Sequence, residues 1–289
     1  MKKFIAIMLA ALMVLGLAAC GNTNTANTNT DNTTPAPAKK TITVATSPDF
    51  APMEFVDTSK TGQEQFVGFD MTLAKFIADY MGAELEIKPM DFNACMVAVQ
   101  TGSVDMAISG FSWKEDRAAN FELSDFYDPG NESAQVIIVL KENAGKWKTA
   151  ADYKGLTVGV QAASLQEELA TKQLEGATIK QFIDIGTEVE ALKAGKVDAI
   201  AVAQGNGKAI ISSNDNIAMS GFEFEVDKKY EANVILIKKG NTELLAEVNK
   251  AMAASVDQHD KWYEDAQALA GIDTAADISY DENGNPIKD

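Results

Sequence analysis

The chain has little of what most catalytic or metal sites are built from. Its 289 residues include one histidine and two cysteines, and 25 basic residues face 42 acidic ones for a formal charge of −17. One histidine and so few thiols leave no Cys–His or Ser–His arrangement for nucleophilic catalysis, and they argue against a soft-metal site. His259 itself falls in a helical pattern with Trp262 and Tyr263, where a packing or surface role is expected. Carboxylates are abundant, yet no spacing singles out an acid–base pair. No catalytic residue, metal or cofactor is therefore assigned, and the chain does not read as an enzyme. The deficit of positive charge disfavours nucleic acid and anionic lipid headgroups as partners. Long apolar runs are also missing, with one exception at the N-terminus.

That exception runs from Phe4 to Ala19 behind Lys2 and Lys3. It is shorter than the roughly 20 residues a spanning helix needs, and with its basic flank it reads as a signal peptide over residues 1–19. It ends in Leu17-Ala18-Ala19-Cys20-Gly21, small residues before a cysteine. This is the pattern of a bacterial lipoprotein signal, cleaved before Cys20. The Cys20 thiol would then carry acyl chains such as palmitate and hold the protein to the cell membrane, facing the extracellular or periplasmic side. Cleavage removes two lysines and no acid, taking the formal charge from −17 to −19. Cys95 is then the one remaining thiol, so no internal disulfide is possible. With no basic residues around it, Cys95 is expected to be a buried, inert core residue. Residues 22–40 are mostly Asn, Thr, Ala, Pro and Lys without apolar periodicity. They cannot bury enough surface to offset their ordering entropy, and 20–40 reads as a lipidated cysteine followed by a flexible tether. Residues 273–289 read as a loose acidic tail.

The folded part, about Thr41 to Ile272, is long enough for two lobes, and it contains an internal echo. Ala98-Val99-Gln100-Thr101-Gly102-Ser103-Val104-Asp105-Met106-Ala107-Ile108 resembles Ala191-Leu192-Lys193-Ala194-Gly195-Lys196-Val197-Asp198-Ala199-Ile200. Both read as the end of a helix, a glycine stop and a buried strand opened by Val-Asp. Each half also starts with a strand, Ile42 to Thr46 and Leu156 to Val160. Between those landmarks the first half predicts a helix carrying Leu73, Ile77, Tyr80 and Met81 on one face, a strand at Leu85 to Ile87, and a helix over Phe92 to Gln100. The second predicts a helix at Ser164 to Leu174, a strand at Thr178 to Phe182, and a helix at Thr187 to Ala194. Each half is thus a βαβαβ unit with a parallel sheet and covering helices, an α/β fold.

Ligands of open α/β sheets bind beyond the carboxyl ends of the strands. That places Ser47 to Phe50, Ser109 to Arg117, Gln161 to Leu165 and Ala203 to Asn206 around a cleft. Ser112-Trp113-Lys114-Glu115 has capping-box spacing and predicts a short helix whose amides attract an anion. Arg117, in its first turns, could hold a carboxylate through a two-pronged charge-assisted pair, or could be a solvated surface arginine. Ser164-Leu165-Gln166-Glu167 repeats the device: Ser164 caps its helix, and the adjacent amides could bind an anion. Phe50 and Phe92 could pack flat on a ligand or belong to the core.

Taken together, Ala45 to Pro52, Val67-Gly68-Phe69-Asp70, Gly102-Ser103-Val104-Asp105, Ser112 to Arg117, Phe121 to Tyr127 and Val158 to Gln161 resemble the bacterial extracellular solute-binding family 3, the polar amino-acid-binding proteins of ABC importers. The resemblance implies two lobes joined by crossing strands, at Val136 to Leu140 and Val234 to Ile237. Lobe 1 would be 41–138 plus 231–272, and lobe 2 would be 139–230. It implies that Arg117 pairs with the ligand carboxylate, helped by the amides of Ser112 and Leu165. The Gly110 carbonyl and Ser112 hydroxyl would face the α-ammonium, and Phe50 and Phe92 would sandwich the side chain. Ser47, Ser109, Gln161, Ser164 and Gln204 complete the candidate ligand-binding set. Two positions depart from the family pattern. The acid that binds the ammonium is replaced by Ala203, followed by uncharged Gln204. Ser47 stands where members specific for basic side chains often carry aspartate, although Asp49 is close by. The implied partners are an amino-acid-like ligand and an ABC-transporter permease, with the protein itself a monomer. A ligand-sensing module for a membrane receptor, or a dehydratase-like enzyme, would share the same fold.

Overall fold

The computed structural model describes residues 40–127, 134–230 and 232–272, and the backbone of 279–280 and 286–287. The expected signal peptide, Cys20, nearly all of the tether and most of the acidic tail lie outside the described residues.

The chain opens with β1 (Thr41–Thr46), then a small antiparallel sheet of β2 (Asp49–Phe50), β3 (Glu54–Val56) and β4 (Phe66–Val67). Next come α1 (Phe69–Tyr80), β5 (Glu84–Pro89), α2 (Phe92–Thr101), β6 (Met106–Ala107), α3 (Glu115–Asn120) and β7 (Phe121–Leu123). The helix α1 buries Phe69, Leu73, Ala74, Ile77 and Ala78, one face at helical spacing, while its opposite face stays exposed. The chain then enters a second sheet with β8 (Gln135–Leu140), β9 (Thr157–Gln161), α4 (Leu165–Gln173), β10 (Thr178–Phe182), α5 (Ile185–Lys193), β11 (Ala199–Ala203), α6 (Gln204–Ser212) and β12 (Ile217–Glu223). It returns through β13 (Leu236–Lys238) to α7 (Thr242–Ser255) and α8 (His259–Leu269).

The two five-stranded sheets have matching orders, β5-β1-β6-β13-β7 and β10-β9-β11-β8-β12. In each, the first three strands are parallel, as the echo predicts. The last two pairings in each are antiparallel, a feature the βαβαβ reading does not contain. The reason is the crossover: the fourth strand of each sheet, β13 or β8, arrives from the other lobe and runs against the parallel set, and the fifth, β7 or β12, pairs antiparallel to it from its own lobe. Apolar clusters fill both faces of each sheet, and Phe50 packs against a cluster of each lobe.

The repeated Gly-x-Val-Asp has a common structural task. Gly102 and Gly195 both take positive φ, 77° and 66°, and so end α2 and α5. Asp105 Oδ2 then accepts from the Thr43 N–H at 2.8 Å and the Thr43 hydroxyl at 2.7 Å. Asp198 Oδ2 accepts from the Thr157 N–H, also at 2.8 Å. Each aspartate ties the third strand of its lobe back to the first strand.

The expected crossing strands differ from those observed. Val136–Leu140 lies within β8, paired inside the second sheet, and Val234–Ile237 runs into β13 in the first. Described residues that flank the passages between lobes are bonded to one another. They are joined by mutual backbone bonds between Tyr127 and Asn233, 3.0 and 3.2 Å, and by the Phe224 N–H donating to the Gln135 carbonyl at 2.8 Å. The apolar runs are buried on both faces, and this is why they read as continuous strands wherever the crossing falls.

Candidate functional site

Arg117, the only arginine in the chain, is 2% exposed. Its guanidinium packs against the stacked rings of Phe92 and Phe111, with Cζ 5.5 and 5.3 Å from the two centroids. Nη1 donates to the Ser112 carbonyl at 2.5 Å, and Nη2 donates across the cleft to the Ala163 carbonyl at 3.0 Å. Among the described residues it has no ion-pair partner. Burial lowers its pKa to about 10, against the opposing pull of Asp116 and Glu168. A buried cation held by two carbonyls keeps its charge uncompensated and so favours negative charge nearby.

The cleft around it is nearly closed, enclosing a cavity of about 30 Å³, room for a water or two. Phe50, Phe92, Ser109, Gly110, Ser112 and Arg117 line it from the first lobe, and Gln161, Ser164 and Leu165 line it from the second. Two candidates fall elsewhere. Ser47 is buried in the first lobe, where its N–H donates to Ser109 Oγ at 2.9 Å. Gln204 begins α6, where its N–H donates to the Ala134 carbonyl. Ala203 itself is on the wall, so the position of the missing acid faces the cavity.

The expected capping box at Ser112 does not form. Lys114 is the N-cap of α3, with no side-chain cap bond, and the Ser112 carbonyl serves Arg117. The box at Ser164 does form in part: Ser164 Oγ accepts from the Glu167 N–H at 3.0 Å. The reciprocal Glu167 bond goes to the Ala163 N–H, 2.6 Å, where the backbone turns at positive φ. The first-turn amides of Leu165 and Gln166 are left at the cavity wall.

Asp49, Glu54, Gln135, Gln166 and Asn233 also line the cavity, and were not among the expected ligand contacts. Glu54 is buried between Met53 and Phe55, and no pattern in the sequence marks it. Gln135 heads the apolar run of β8. Asp49 closes the cleft directly. Its Oδ2 accepts from the Ile185 N–H at 2.7 Å and from Gln161 Nε2 at 3.3 Å, both on the other lobe, while Oδ1 accepts from Ser47 Oγ. Burial raises its pKa, opposed by the Ile185 and Ser47 bonds. Asn206 Nδ2 adds a bond to the Ala51 carbonyl, and Lys114 pairs with Glu168 at 2.9 Å. Asp49→Ala is expected to lower ligand affinity about tenfold, since a charge-assisted bond that exists only in the closed form is lost. Small-angle scattering of the ligand-free variant should show a larger radius of gyration than the parent; equal radii and affinities would remove Asp49 from the latch.

The profile of the bacterial extracellular solute-binding proteins, family 3, matches residues 42–264. The arginine-binding extracellular protein ArtP of Bacillus subtilis is 32% identical over 78% of this chain and 87% of its own. The L-cystine-binding protein TcyJ of Escherichia coli is 30% identical over 65% and 69%. Among solved structures, an amino acid ABC transporter substrate-binding protein, AbpA of Streptococcus pneumoniae bound to L-arginine, superposes with a TM-score of 0.72. It is 31% identical and covers 81% of this chain and 97% of that one. The chain therefore belongs to family 3 of the bacterial extracellular solute-binding proteins, amino-acid-binding substrate-binding proteins of ABC transporters. Its fold is the two-lobed α/β fold of that family.

Proposed function

We propose that this chain is the lipid-anchored receptor of an amino-acid importer, which captures one α-amino acid outside the cytoplasm and presents it, as a monomer, to an ABC permease. The observation that carries the reading is Arg117: buried, without an acid partner among the described residues, and set opposite the first-turn amides of α4. A carboxylate there would gain a two-pronged pair with the guanidinium and bonds from those amides. Because these groups come from different lobes, a bound carboxylate favours closure, a hinge motion about the two crossing passages. The aromatic rings of Phe50 and Phe92 would hold the rest of the ligand. Anchoring by lipid on Cys20 accords with the absence, among the described residues, of any helix long and apolar enough to cross a membrane.

A thermal screen of the exported chain against the twenty amino acids and L-cystine tests this. A ligand at 100 times its dissociation constant stabilises the folded form by about 2.7 kcal/mol, a shift of several degrees. A raised midpoint with one or a few of them is expected; no shift with any of them would overturn the reading. In cells, Cys20→Ser should release the protein from the membrane fraction.

A further inference from the structure

The family position for an ammonium-binding acid is Ala203 here, and the cavity wall shows what stands in its place. Two carboxylates line the cavity, Asp49 and Glu54. Both oxygens of Asp49 are already engaged, by the Ser47 hydroxyl and by two donors of the opposite lobe. Glu54 differs. It is 1% exposed; Oε1 accepts from Ser109 Oγ at 2.6 Å, while the buried Oε2, near the Asp70 carboxyl, meets no donor among the described residues. A buried carboxylate oxygen beside a ligand cavity and without a donor is a strong acceptor left unsatisfied. Asn206 Oδ1 is also buried and unpartnered, but it is uncharged and not on the wall.

Resting on the amino-acid reading above, we infer that Glu54 accepts the α-ammonium of the ligand, doing from the first lobe what the family's acid does from the second. The ligand is then held between opposite charges, its carboxylate on Arg117 and its ammonium on Glu54.

Glu54 sits among acids. Asp70 from α1 and Asp49 from β2 face it, with the Cys95 thiol of α2 also nearby. Asp70 in turn accepts from the Gly110 N–H and the Tyr127 hydroxyl. Burial first, then the charge of Asp70, raises the proton affinity of Glu54 well above the ordinary glutamate range, with the Ser109 bond opposing. Where the empty site holds Glu54 protonated, accepting the ammonium turns its carboxylic acid into a carboxylate and sends that proton to solvent. Affinity should fall as pH drops below the raised pKa, by at most about tenfold per pH unit.

The test is calorimetric titration of the protein and of Glu54→Gln with each of the twenty amino acids and L-cystine, in buffers of different ionisation enthalpy, and with the des-amino analogue of each binder. Gln keeps an acceptor for Ser109 and removes the charge beside Asp70, so the fold is expected to persist. The expected results are proton release by the parent, its absence in Glu54→Gln, and an affinity about 10- to 100-fold lower in that variant. The des-amino analogue should bind parent and variant equally. Equal affinity of parent and variant for the amino acid overturns the inference alone. If the parent binds no amino acid, the amino-acid reading falls and the inference with it. Should Glu54→Gln fail to fold, the parent's affinity for each binder against that for its des-amino analogue decides the question: equal affinities overturn the inference.

Discussion

Arg117→Ala should cost several hundred-fold or more in affinity for the amino-acid ligand. Hydrogen bonds to charged groups contribute about 1.5–3 kcal/mol each, so a two-pronged pair lost whole corresponds to roughly 10²–10⁴ in the dissociation constant. The substitution also removes the Nη2 bond to the Ala163 carbonyl, which joins the lobes, so closure is weakened as well. Arg117→Lys separates these effects. It keeps a positive charge but not the planar fork, and should recover only part of the loss. Folding has to be checked independently, because Arg117 is packed on Phe92 and Phe111 and its removal leaves a gap. Since the chain holds one arginine, a single guanidinium resonance reports the site. It should shift on ligand addition and be the one arginine signal protected from exchange. A variant that folds, shows native circular dichroism and binds within threefold of the parent would rule out the carboxylate assignment.

The same residue illustrates how far the sequence could be read. Arg117 stands out because a strand end, a serine and a short helix precede it, all local features. The claim of its guanidinium on the Ser112 carbonyl is not local: it depends on the side chain folding back under Phe92, a residue 25 positions earlier. The helix α3 starts at Glu115 behind Lys114, so the capping box that the spacing predicts does not form. The three parallel strands of each lobe are legible for a related reason. Their Val-Asp signals, glycine stops and apolar faces all lie within one stretch of chain, whereas the antiparallel third and fourth pairings are made to β13 and β8, which arrive from the other lobe. Helix faces and strands follow from periodicity, but Glu54 does not. An isolated acid between Met53 and Phe55 gives no periodic signal, and only the folded structure brings it beside Ser109 and the cavity.

Glu188 supplies the second large effect, on stability. It is fully buried on α5, against Gly159 and the strands of the second lobe, and neither carboxylate oxygen has a hydrogen-bond partner among the described residues. Burial, then the negative charges of Asp49 and Asp184, raises its pKa well above the ordinary range. A group whose folded pKa exceeds its unfolded pKa contributes stability in full below the unfolded value. That contribution declines as pH rises towards the folded pKa and does not return above it. The parent should therefore lose stability through this residue as pH rises from the ordinary glutamate range, about 4.5, towards the raised folded value. Glu188→Met keeps the length of the side chain and removes both the charge and the unsatisfied oxygens. At pH 8 it is expected to stabilise the second lobe by roughly 1–3 kcal/mol, the cost of an unsatisfied buried polar group. At pH 4 the gain should be smaller, since Glu188 is then neutral in both folded and unfolded chains. Denaturant unfolding of the two proteins from pH 4 to 8 measures the difference directly. A gap that widens with pH identifies the buried carboxyl as its source; a constant gap would mean that packing alone separates Met from Glu at this position. Because Asp49 comes from the other lobe and contributes to the repulsion only when the cleft is closed, the widening should be smaller in an Asp49→Ala background. In that way one buried acid behind the latch opposes closure at the same surface where Asp49, bonded to Ile185 and Gln161, favours it.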